Sequence, residues 1–309
     1  MSQAQTPVLA RQRFAELVCE RASIGSTRPL SERLSAAFAE VPREHYLGPG
    51  PWKISRPSDP WTKVETPDAN PERIYDDVLV SIVAEKNLAN GLPSGHARWL
   101  NALDLQLGEH AVHCGCGTGY YTAIIAHVVG ATGRVTAIEL DQSLASRAAR
   151  NLNEFPNVEV IAGDATTYSA GEVDAIYVNA GATHPMPLWL DSLKPHGRLI
   201  FPMVRFPSGG ETWISNAGAG NRDFEAGMGL MLRIQRAAAG YASEVVSPAA
   251  FFPCFGAIDP EPEADRQFVE ALQSGTIAQA NSLRREPHDR DASCLLHIHG
   301  CCFSGLAAE

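Results

Sequence analysis

The regular alternation of strand-like and helix-like segments between residues 94 and 203 limits most strongly what this chain can fold into. Short apolar runs rich in β-branched residues alternate with longer segments whose apolar residues recur at helical spacing. Strands that alternate with helices form βαβ units around a parallel sheet with helices on both faces. The strand patterns are "HAVHC", "GRVTAIEL", "NVEVIAG", "VDAIYVNAG" and "GRLIFPM". We therefore predict an α/β fold with a doubly wound, mostly parallel sheet, N-terminal helices and a C-terminal α+β extension.

This pattern divides the chain into three predicted regions. Residues 1–93 form a helical and loop cap region, in which the proline-rich stretch "GPGPWKISRPSDPWTKVETPDANPERIY" is predicted to be loop. Residues 94–205 form the core, in which Asp141 caps the helix "DQSLASRAARNLNEF". Residues 206–309 form a sheet extension and subdomain. There we predict antiparallel strands at "ETWISN" and "GLMLRIQRAA", a helix at "EADRQFVEALQSG" and a late strand at "SCLLHIHGCCFSG".

Composition narrows the class of protein. The chain has 309 residues, of which 45% are hydrophobic, so it can bury a large core. Its net charge of -10 argues against a nucleic-acid partner, because phosphate binding requires a basic surface. Neither a membrane-spanning run nor a signal-peptide pattern is apparent, so we expect a cytoplasmic protein without a membrane partner. The seven cysteines lack the spacing of a disulfide framework, so we expect reduced thiols. Nothing in the sequence indicates an oligomeric state.

A glycine-rich turn after the first core strand predicts a nucleoside cofactor. In "HCGCGTGYYTAIIAH" (residues 113–127) the spacing is G-x-G-x-G, and Tyr120 stands where the dinucleotide fingerprint has its last glycine. A bulky residue at that position disfavours a pyrophosphate and favours S-adenosylmethionine, which has no phosphate. Glu139, at the end of the second strand, is suited to accept hydrogen bonds from ribose hydroxyls, and Asp164, after the third strand, from an adenine amino group.

Five segments resemble the protein-L-isoaspartate O-methyltransferase family of S-adenosylmethionine-dependent carboxyl methyltransferases. They are "VPREHYL" (41–47), "GCGTGYYTAIIA" (115–126), "GRVTAIEL" (133–140), "NVEVIAGDA" (157–165) and "LKPHGRLIFPM" (193–203). The resemblance covers about residues 10–205. It implies a Rossmann-like methyltransferase sheet, S-adenosylmethionine as cofactor and S-adenosylhomocysteine as product. It also implies that Gly115, Gly117, Gly119, Tyr120, Glu139 and Asp164 line the cofactor pocket, and we place the neighbouring His113, Cys116, Leu140 and Ala165 with them.

The chain also departs from the family pattern. The family has a Thr-Ile-Ser-Gln-Pro segment before its glycine turn, and aligning its proline with Pro93 puts the active-site serine on Gly91. His113 stands where the family has an acidic residue, and the C-terminal extension is longer than in the short repair enzymes. These departures argue against isoaspartyl repair. The expected function is O-methylation of a carboxylate of a protein, peptide or small molecule. The alternatives are a catalytically silent methyltransferase-like binding protein, a hydroxyl-directed small-molecule O-methyltransferase and, disfavoured by Tyr120, a nicotinamide-dependent oxidoreductase.

Polar residues beyond two segment ends are the candidate acceptor contacts. Asn179, Thr183 and His184 follow the fourth strand, and Asn90 and Ser94 lie in "ANGLPSG". A carboxylate acceptor is ionised at neutral pH and requires no general base, whereas a hydroxyl acceptor requires one such as His184. The plainer interpretation of His184 is an ordinary loop histidine before Pro185, and Asn179 could serve only to bond local backbone.

Two clusters of histidine and cysteine are candidate metal sites. In "HCGC", His113 and Cys114 point to opposite faces of a strand, which argues against a shared metal. In "CLLHIHGCC" (294–302) a single strand would place His297, His299 and Cys301 on one face, but a closed zinc site requires a fourth ligand. We therefore predict no metal ligands from the sequence.

Overall fold

The computed structural model describes residues 5–86, 88–206, 227–259, 261–285 and 287–308. The predicted strand "ETWISN" (211–216) lies outside the described residues. The chain divides into two compact units. The first comprises Met1–His110 and Cys116–Gly163, and the second Ala111–Gly115 and Asp164–Glu309. The boundaries between these two units fall inside residues 94–205, the predicted core region. The division into three regions at residues 93 and 205 stays a prediction.

The first unit contains six α-helices among its described residues. They are α1 (Gln5–Ser23), α2 (Glu32–Glu40), α3 (Glu44–Leu47), α4 (Pro93–Leu103), α5 (Tyr120–Val129) and α6 (Gln142–Asn151). Helix α1 packs on α2 and α4, and α2 packs on α5. As predicted, the Asp141 carboxylate caps α6 by accepting hydrogen bonds from the backbone N–H groups of Ser143 and Leu144.

The strands of the first unit form a small antiparallel sheet and a parallel pair. The sheet has the order β2-β1-β3-β4, from β1 (Lys53–Arg56), β2 (Asp59–Glu65), β3 (Leu79–Val83) and β4 (Leu88–Ala89). The parallel pair is β6 (Arg134–Glu139) with β7 (Val158–Ala162). The prediction that the proline-rich stretch is loop was therefore wrong, since β1 and β2 lie within it. Pro60 is compatible with β2 because this strand is at the sheet edge, where a missing N–H breaks no central ladder.

The second unit is built on one mixed sheet. Its described strands are β5 (His110–Cys114), β8 (Val173–Val178), β9 (Leu193–Arg205), β10 (Gly227–Arg236), β11 (Tyr241–Phe251), β12 (Ser282–Arg285), β13 (Cys294–Ile298) and β14 (Cys301–Ser304). The strand order is β13-β14-β12-β11-β10-β9-β8-β5. Helices α7 (Pro187–Asp191) and α8 (Pro262–Gln273) complete the unit's regular α-helical structure among the described residues.

The mostly parallel character predicted for the sheet is not confirmed. Parallel pairing joins β5 to β8 and β8 to β9. The neighbouring strands in the order β9-β10-β11-β12-β14-β13 all pair antiparallel. The extension continues the sheet through short turns, such as the one at residues 237–240, and antiparallel strands need no crossover helix. We also did not predict β11 and β12.

The predicted late strand at the C-terminus is a hairpin instead. His299 and Gly300, between β13 and β14, both have left-handed φ values, +49° and +71°. Two successive residues with positive φ form the tight turn that matches strand twist in a hairpin. Among the described residues of the whole chain, no helix is long and apolar enough to cross a membrane.

Candidate active site

The glycine turn of the first unit is held close against the end of β6. The Cys116 N–H donates to the Ile138 carbonyl oxygen over 3.1 Å. Gly117 and Gly119 have φ values of +57° and +96°, which L side chains rarely adopt. A Cβ on Gly119 would also come within 2.8 Å of Leu152 Cδ1. Position 119 therefore requires glycine, both because its φ is positive and because a side chain there would contact Leu152.

Glu139 spans the turn with both carboxylate oxygens. Oε2 accepts a hydrogen bond from the Gly117 N–H at 2.7 Å, and Oε1 accepts one from the Asp141 N–H at 3.0 Å. Burial raises the pKa of this carboxyl, and the two N–H donors only partly oppose that effect. The next residue, Leu140, leaves 54% of its surface exposed although it is apolar. The end of β6 thus offers acceptor oxygens beside an exposed apolar side chain.

Three of the side chains that we predict to line the cofactor pocket are buried. His113, Cys116 and Tyr120 are 0%, 5% and 0% exposed. The Tyr120 ring packs against Phe38 and Tyr46, at centroid distances of 6.4 and 5.7 Å. It therefore does not itself cover the turn, and its ring supplies no steric argument against a pyrophosphate.

The His113 ring lies fully buried in the second unit. Burial lowers the pKa of His113 to about 3, so the ring is neutral at physiological pH. Its ring packs 5.2 Å from the ring of Tyr177, its neighbour across β5 and β8. Where the family has an acidic residue, this chain thus has a neutral core side chain.

In the second unit, Asn179 bonds the backbone at the end of β5 and at the residue after it. Its N–H donates to the Cys114 carbonyl oxygen at 2.8 Å, and its side-chain Nδ2 donates to the Gly115 carbonyl oxygen at 3.3 Å. Gly115 has φ +75°, and a Cβ there would lie 3.3 Å from the Asn179 carbonyl oxygen. This is the local backbone role that the sequence left as an alternative to acceptor binding.

Asp164 and Ala165 are fixed by neighbours that sequence reasoning missed. Asp164 Oδ1 accepts hydrogen bonds from the backbone N–H of Thr166 at 2.8 Å and from its hydroxyl at 2.7 Å. A Cβ on Gly256 would come within 2.8 Å of Asp164 Oδ2. The Trp189 indole N–H donates to the Ala165 carbonyl oxygen at 2.9 Å. The Asp164 carboxylate is thereby held in one orientation.

Thr183 and His184 belong to a polar cluster of the second unit. The Thr183 hydroxyl lies 3.0 Å from His184 Nδ1 and accepts a hydrogen bond from the Asp259 N–H at 3.1 Å. The His184 ring stacks on His299 at a centroid distance of 4.6 Å. Burial, followed by the neighbouring His299, lowers the pKa of His184 to about 4. His299, on the hairpin turn, bonds Asp259 at 3.1 Å, so it does not share a strand face with His297.

In the "ANGLPSG" segment of the first unit, Ser94 makes two hydrogen bonds to Asp77. The Ser94 hydroxyl donates to Asp77 Oδ2 at 2.8 Å, and the Ser94 N–H donates to Oδ1 at 2.9 Å. Asp77 thus caps α4, a role that no sequence pattern indicated. Asn90 is 8% exposed, and its buried Oδ1 has no hydrogen-bond partner among the described residues. Of the two candidates, Ser94 has a structural partner and Asn90 keeps a vacant acceptor.

Gly91 cannot be replaced by the family serine without rearrangement. Its φ is +83°, and a Cβ would lie 2.1 Å from His96 Nε2. His96 is 1% exposed and stacks on Tyr121 at a centroid distance of 3.5 Å, so its ring has little room to move. The imidazole therefore fills the space that a side chain at position 91 would require.

Arg43, in "VPREHYL", is a residue whose role the sequence did not reveal. It is 0% exposed, and its guanidinium donates to the carbonyl oxygens of Ile74, Asp76 and Val78 at 2.8, 3.2 and 2.9 Å. The guanidinium also lies 5.9 Å from the Tyr120 ring centroid. Arg43 thus anchors the segment that leads into β3.

Comparison with known proteins identifies the family. A family model described as protein-L-isoaspartate(D-aspartate) O-methyltransferase matches residues 63–210. Protein-L-isoaspartate O-methyltransferase 2 of Archaeoglobus fulgidus is 31% identical over 198 residues, which cover 62% of this chain and 78% of the relative. The chain belongs to the protein-L-isoaspartate O-methyltransferase family. It is accordingly an S-adenosylmethionine-dependent methyltransferase.

Other relatives of this family agree. The protein-L-isoaspartate O-methyltransferase of Methanothrix thermoacetophila is 36% identical over 189 residues, which cover 56% of this chain and 75% of the relative. A solved protein-L-isoaspartate O-methyltransferase from Plasmodium falciparum, in complex with S-adenosylhomocysteine, aligns with a TM-score of 0.55 at 18% identity, covering 79% of this chain and 97% of that one. The structural likeness supports an α/β methyltransferase fold.

The residues of the first unit fit the cofactor that this methyltransferase family uses. A nucleoside offers ribose hydroxyl donors and a flat apolar base. Glu139 presents two acceptor oxygens, Leu140 presents an exposed apolar surface, and Gly117 and Gly119 add no side chain to the turn. The acceptor oxygens of Glu139 thus suit the ribose hydroxyls of S-adenosylmethionine, and the Leu140 side chain suits its adenine ring.

Proposed function

We propose that the protein methylates a carboxylate oxygen of a protein or peptide. Family membership supports the carboxylate acceptor, since the relatives are named for transfer to isoaspartate. We further propose that recognition of isoaspartate in the manner of the family is not retained, because Gly91 and His96 leave no room for the family serine.

Glu139 and the glycine turn would hold the cofactor in the first unit. The Glu139 oxygens would accept from ribose hydroxyls, Leu140 would cover one face of the adenine, and Gly117 and Gly119 would allow close backbone approach. When bound, S-adenosylmethionine supplies a methyl group that its sulfonium already activates. The protein's part is then to orient the reactants and to exclude water.

The weak basicity of His184 is the observation that favours a carboxylate over a hydroxyl acceptor. A hydroxyl must lose its proton to attack, and an effective general base has a pKa near the working pH. His184, the histidine that the sequence suggested for this role, has its pKa lowered to about 4. A carboxylate needs no such base, because it is already ionised at neutral pH.

Asn90 is a candidate acceptor contact in the first unit. Its Oδ1 atom is buried and accepts no hydrogen bond from the described residues. A buried acceptor without a donor is costly, so a ligand N–H there would relieve that cost. A peptide amide next to the methylated carboxylate could supply this donor.

Transfer of labelled methyl tests the proposal. The full chain is incubated with methyl-labelled S-adenosylmethionine and an extract of cellular proteins, and the product is then treated with base. A methyl ester releases its label as methanol, whereas ethers and amines keep it. We expect base-labile label, and we expect His184→Gln to retain activity within about tenfold, since loss of a general base typically costs 10²- to 10⁴-fold.

Two outcomes contradict the proposal. Base-stable label together with a loss above about 100-fold in His184→Gln would indicate a hydroxyl acceptor and a catalytic histidine. Binding of S-adenosylhomocysteine with no label in any acceptor would indicate the silent binding protein. A peptide pair with isoaspartate or aspartate at one position separates family-type recognition from other carboxylates, and we expect no preference for isoaspartate.

A further inference from the structure

The C-terminal hairpin and the loop before it bring four metal-ligating side chains together. His288, Cys294, His297 and Cys302 each offer one nitrogen or sulfur atom, and these atoms all lie within 4.8 Å of one another. All four residues belong to the second unit, and none takes part in the proposed methyl transfer. We propose that they bind one Zn²⁺ ion in a closed structural site.

A β-bulge aligns two of the ligands on one face. His297 lies opposite Cys302, so their side chains share a face of the hairpin. Cys294 and His297 are three residues apart and would point to opposite faces in a regular strand. The register shifts between Cys294 and Leu296, where two steps along β13 match one along β14. The extra residue brings Cys294 back to the face of His297.

The other face of the hairpin is occupied by the apolar core. Leu296, Ile298, Cys301 and Phe303 are 4%, 4%, 5% and 0% exposed. Cys301 therefore packs as a small apolar side chain, whereas its neighbour Cys302 points to the ligand face. Cys302 is therefore a proposed ligand and Cys301 is not, so a substitution of Cys301 is a matched control.

His288 completes the set from the loop and is oriented for ligation. Its Nδ1 lies 2.9 Å from the Asp289 carbonyl oxygen, so Nδ1 carries the proton and Nε2 keeps its lone pair. The Nε2 atom is buried and has no hydrogen-bond partner among the described residues. The ring stacks on His297 at a centroid distance of 5.1 Å. A metal would satisfy this buried acceptor.

The charges around the two sulfurs are close to balanced. The Asp291 N–H donates to Cys294 Sγ at 3.4 Å, and Arg284 lies opposite Cys302 on the adjacent strand β12. Asp291 Oδ1, 3.7 Å from Cys294 Sγ, opposes a thiolate, but Arg284 lies 3.7 Å from the other oxygen of that carboxylate. Binding of Zn²⁺ by two thiols releases two protons, and the two thiolates neutralise the ion.

The donor set selects zinc among common metals. Two sulfurs and two imidazole nitrogens in a tetrahedron are typical of structural zinc. Bonds of about 2.0–2.3 Å require ligand atoms roughly 3.3–3.8 Å apart. The four atoms, within 4.8 Å of one another, would need to approach by about 1 Å, which a hairpin and its adjoining loop can accommodate. All four positions are filled by protein, so the ion would join the loop to the hairpin and perform no catalysis.

Metal content and cobalt spectra of the full chain test this site. The chain is purified under reducing conditions, and its metals are measured by plasma mass spectrometry. We expect one zinc per chain. Replacement by Co²⁺ should give the intense visible bands of a tetrahedral ion and a thiolate charge-transfer band. Cys302→Ser and His288→Ala should each lower zinc affinity by more than about 100-fold, since loss of outer-shell partners alone costs 10- to 100-fold.

Cys301→Ala is the control, because this neighbouring cysteine lies on the opposite face. We expect it to keep one zinc and an unchanged cobalt spectrum. Removal of zinc from the wild-type chain by a chelator should lower its melting temperature, which tests the site without any variant. The proposal is overturned by a reduced wild-type chain that binds no zinc, by equal zinc loss in Cys301→Ala and Cys302→Ser, or by a Cys294–Cys302 disulfide with no metal binding after reduction. Each readout is independent of methyl transfer.

Discussion

Restoring the family serine at position 91 should destabilise the protein strongly. Gly91→Ser places a side chain on a left-handed residue, which costs about 1–2 kcal/mol. The new Cβ would also lie 2.1 Å from His96 Nε2. His96 is stacked on Tyr121 and buried, so relieving this overlap should cost a further 1–3 kcal/mol or so, the usual range for an overpacked core. We therefore expect a loss of roughly 2–5 kcal/mol in the free energy of unfolding.

A matched variant separates the two contributions. Gly25 also has a left-handed φ, +72°, but a Cβ there would meet no atom within 4 Å. Gly25→Ser should therefore cost only the backbone term of about 1–2 kcal/mol. Urea unfolding followed by circular dichroism measures both variants, and adding His96→Ala should recover part of the Gly91→Ser loss. Equal losses in Gly91→Ser and Gly25→Ser would refute the argument that His96 fills the serine position.

Two further predictions concern buried polar side chains. Arg43→Met should lower the free energy of unfolding by about 3–5 kcal/mol, because three backbone carbonyls lose a buried charged donor. Arg13 is exposed, so Arg13→Met should change the free energy of unfolding by less than about 0.5 kcal/mol in the same urea unfolding assay. His113 has its pKa lowered to about 3, so below the unfolded-state pKa near 6.5 the unfolded chain takes up a proton that the folded chain does not. Its contribution to stability is complete above pH 6.5, and about 2 kcal/mol of it should be lost by pH 5. His113→Phe should lose less stability than wild type between pH 7 and pH 5; an equal loss in both would count against a neutral buried ring.

Local periodicity was enough to predict the strands and helices around the glycine turn. Helix α5 begins at Tyr120 because the left-handed Gly119 ends the turn, and Asp141 caps α6 as its residue type indicated. The proline-rich stretch was misassigned because an edge strand tolerates proline, and sequence alone does not reveal which strand is at an edge.

The ligand cluster at the C-terminus could not be predicted from strand alternation. A single strand predicts that His297, His299 and Cys301 share a face, but the hairpin turn at His299 and the bulge beside Leu295 change which residues align. The burial of Arg43 was likewise unpredictable, because its carbonyl partners come from a segment 31 to 35 residues away. The glycine turn and Glu139 could be located from sequence because they lie at the ends of predicted strands, and their role in cofactor binding stays a prediction.

Calorimetric titration with S-adenosylhomocysteine tests the central claim most directly. The claim is that Glu139, at the end of β6 beside the glycine turn of the first unit, holds the cofactor of a methyltransferase. We expect the wild-type chain to bind, and Glu139→Gln to bind about 10- to 150-fold more weakly, the equivalent of losing a charged hydrogen bond worth about 1.5–3 kcal/mol. Glu159→Gln, an exposed glutamate on β7, is the matched control and should bind as wild type does. Absence of binding by the wild-type chain, or equal affinity in Glu139→Gln and wild type, would contradict the claim.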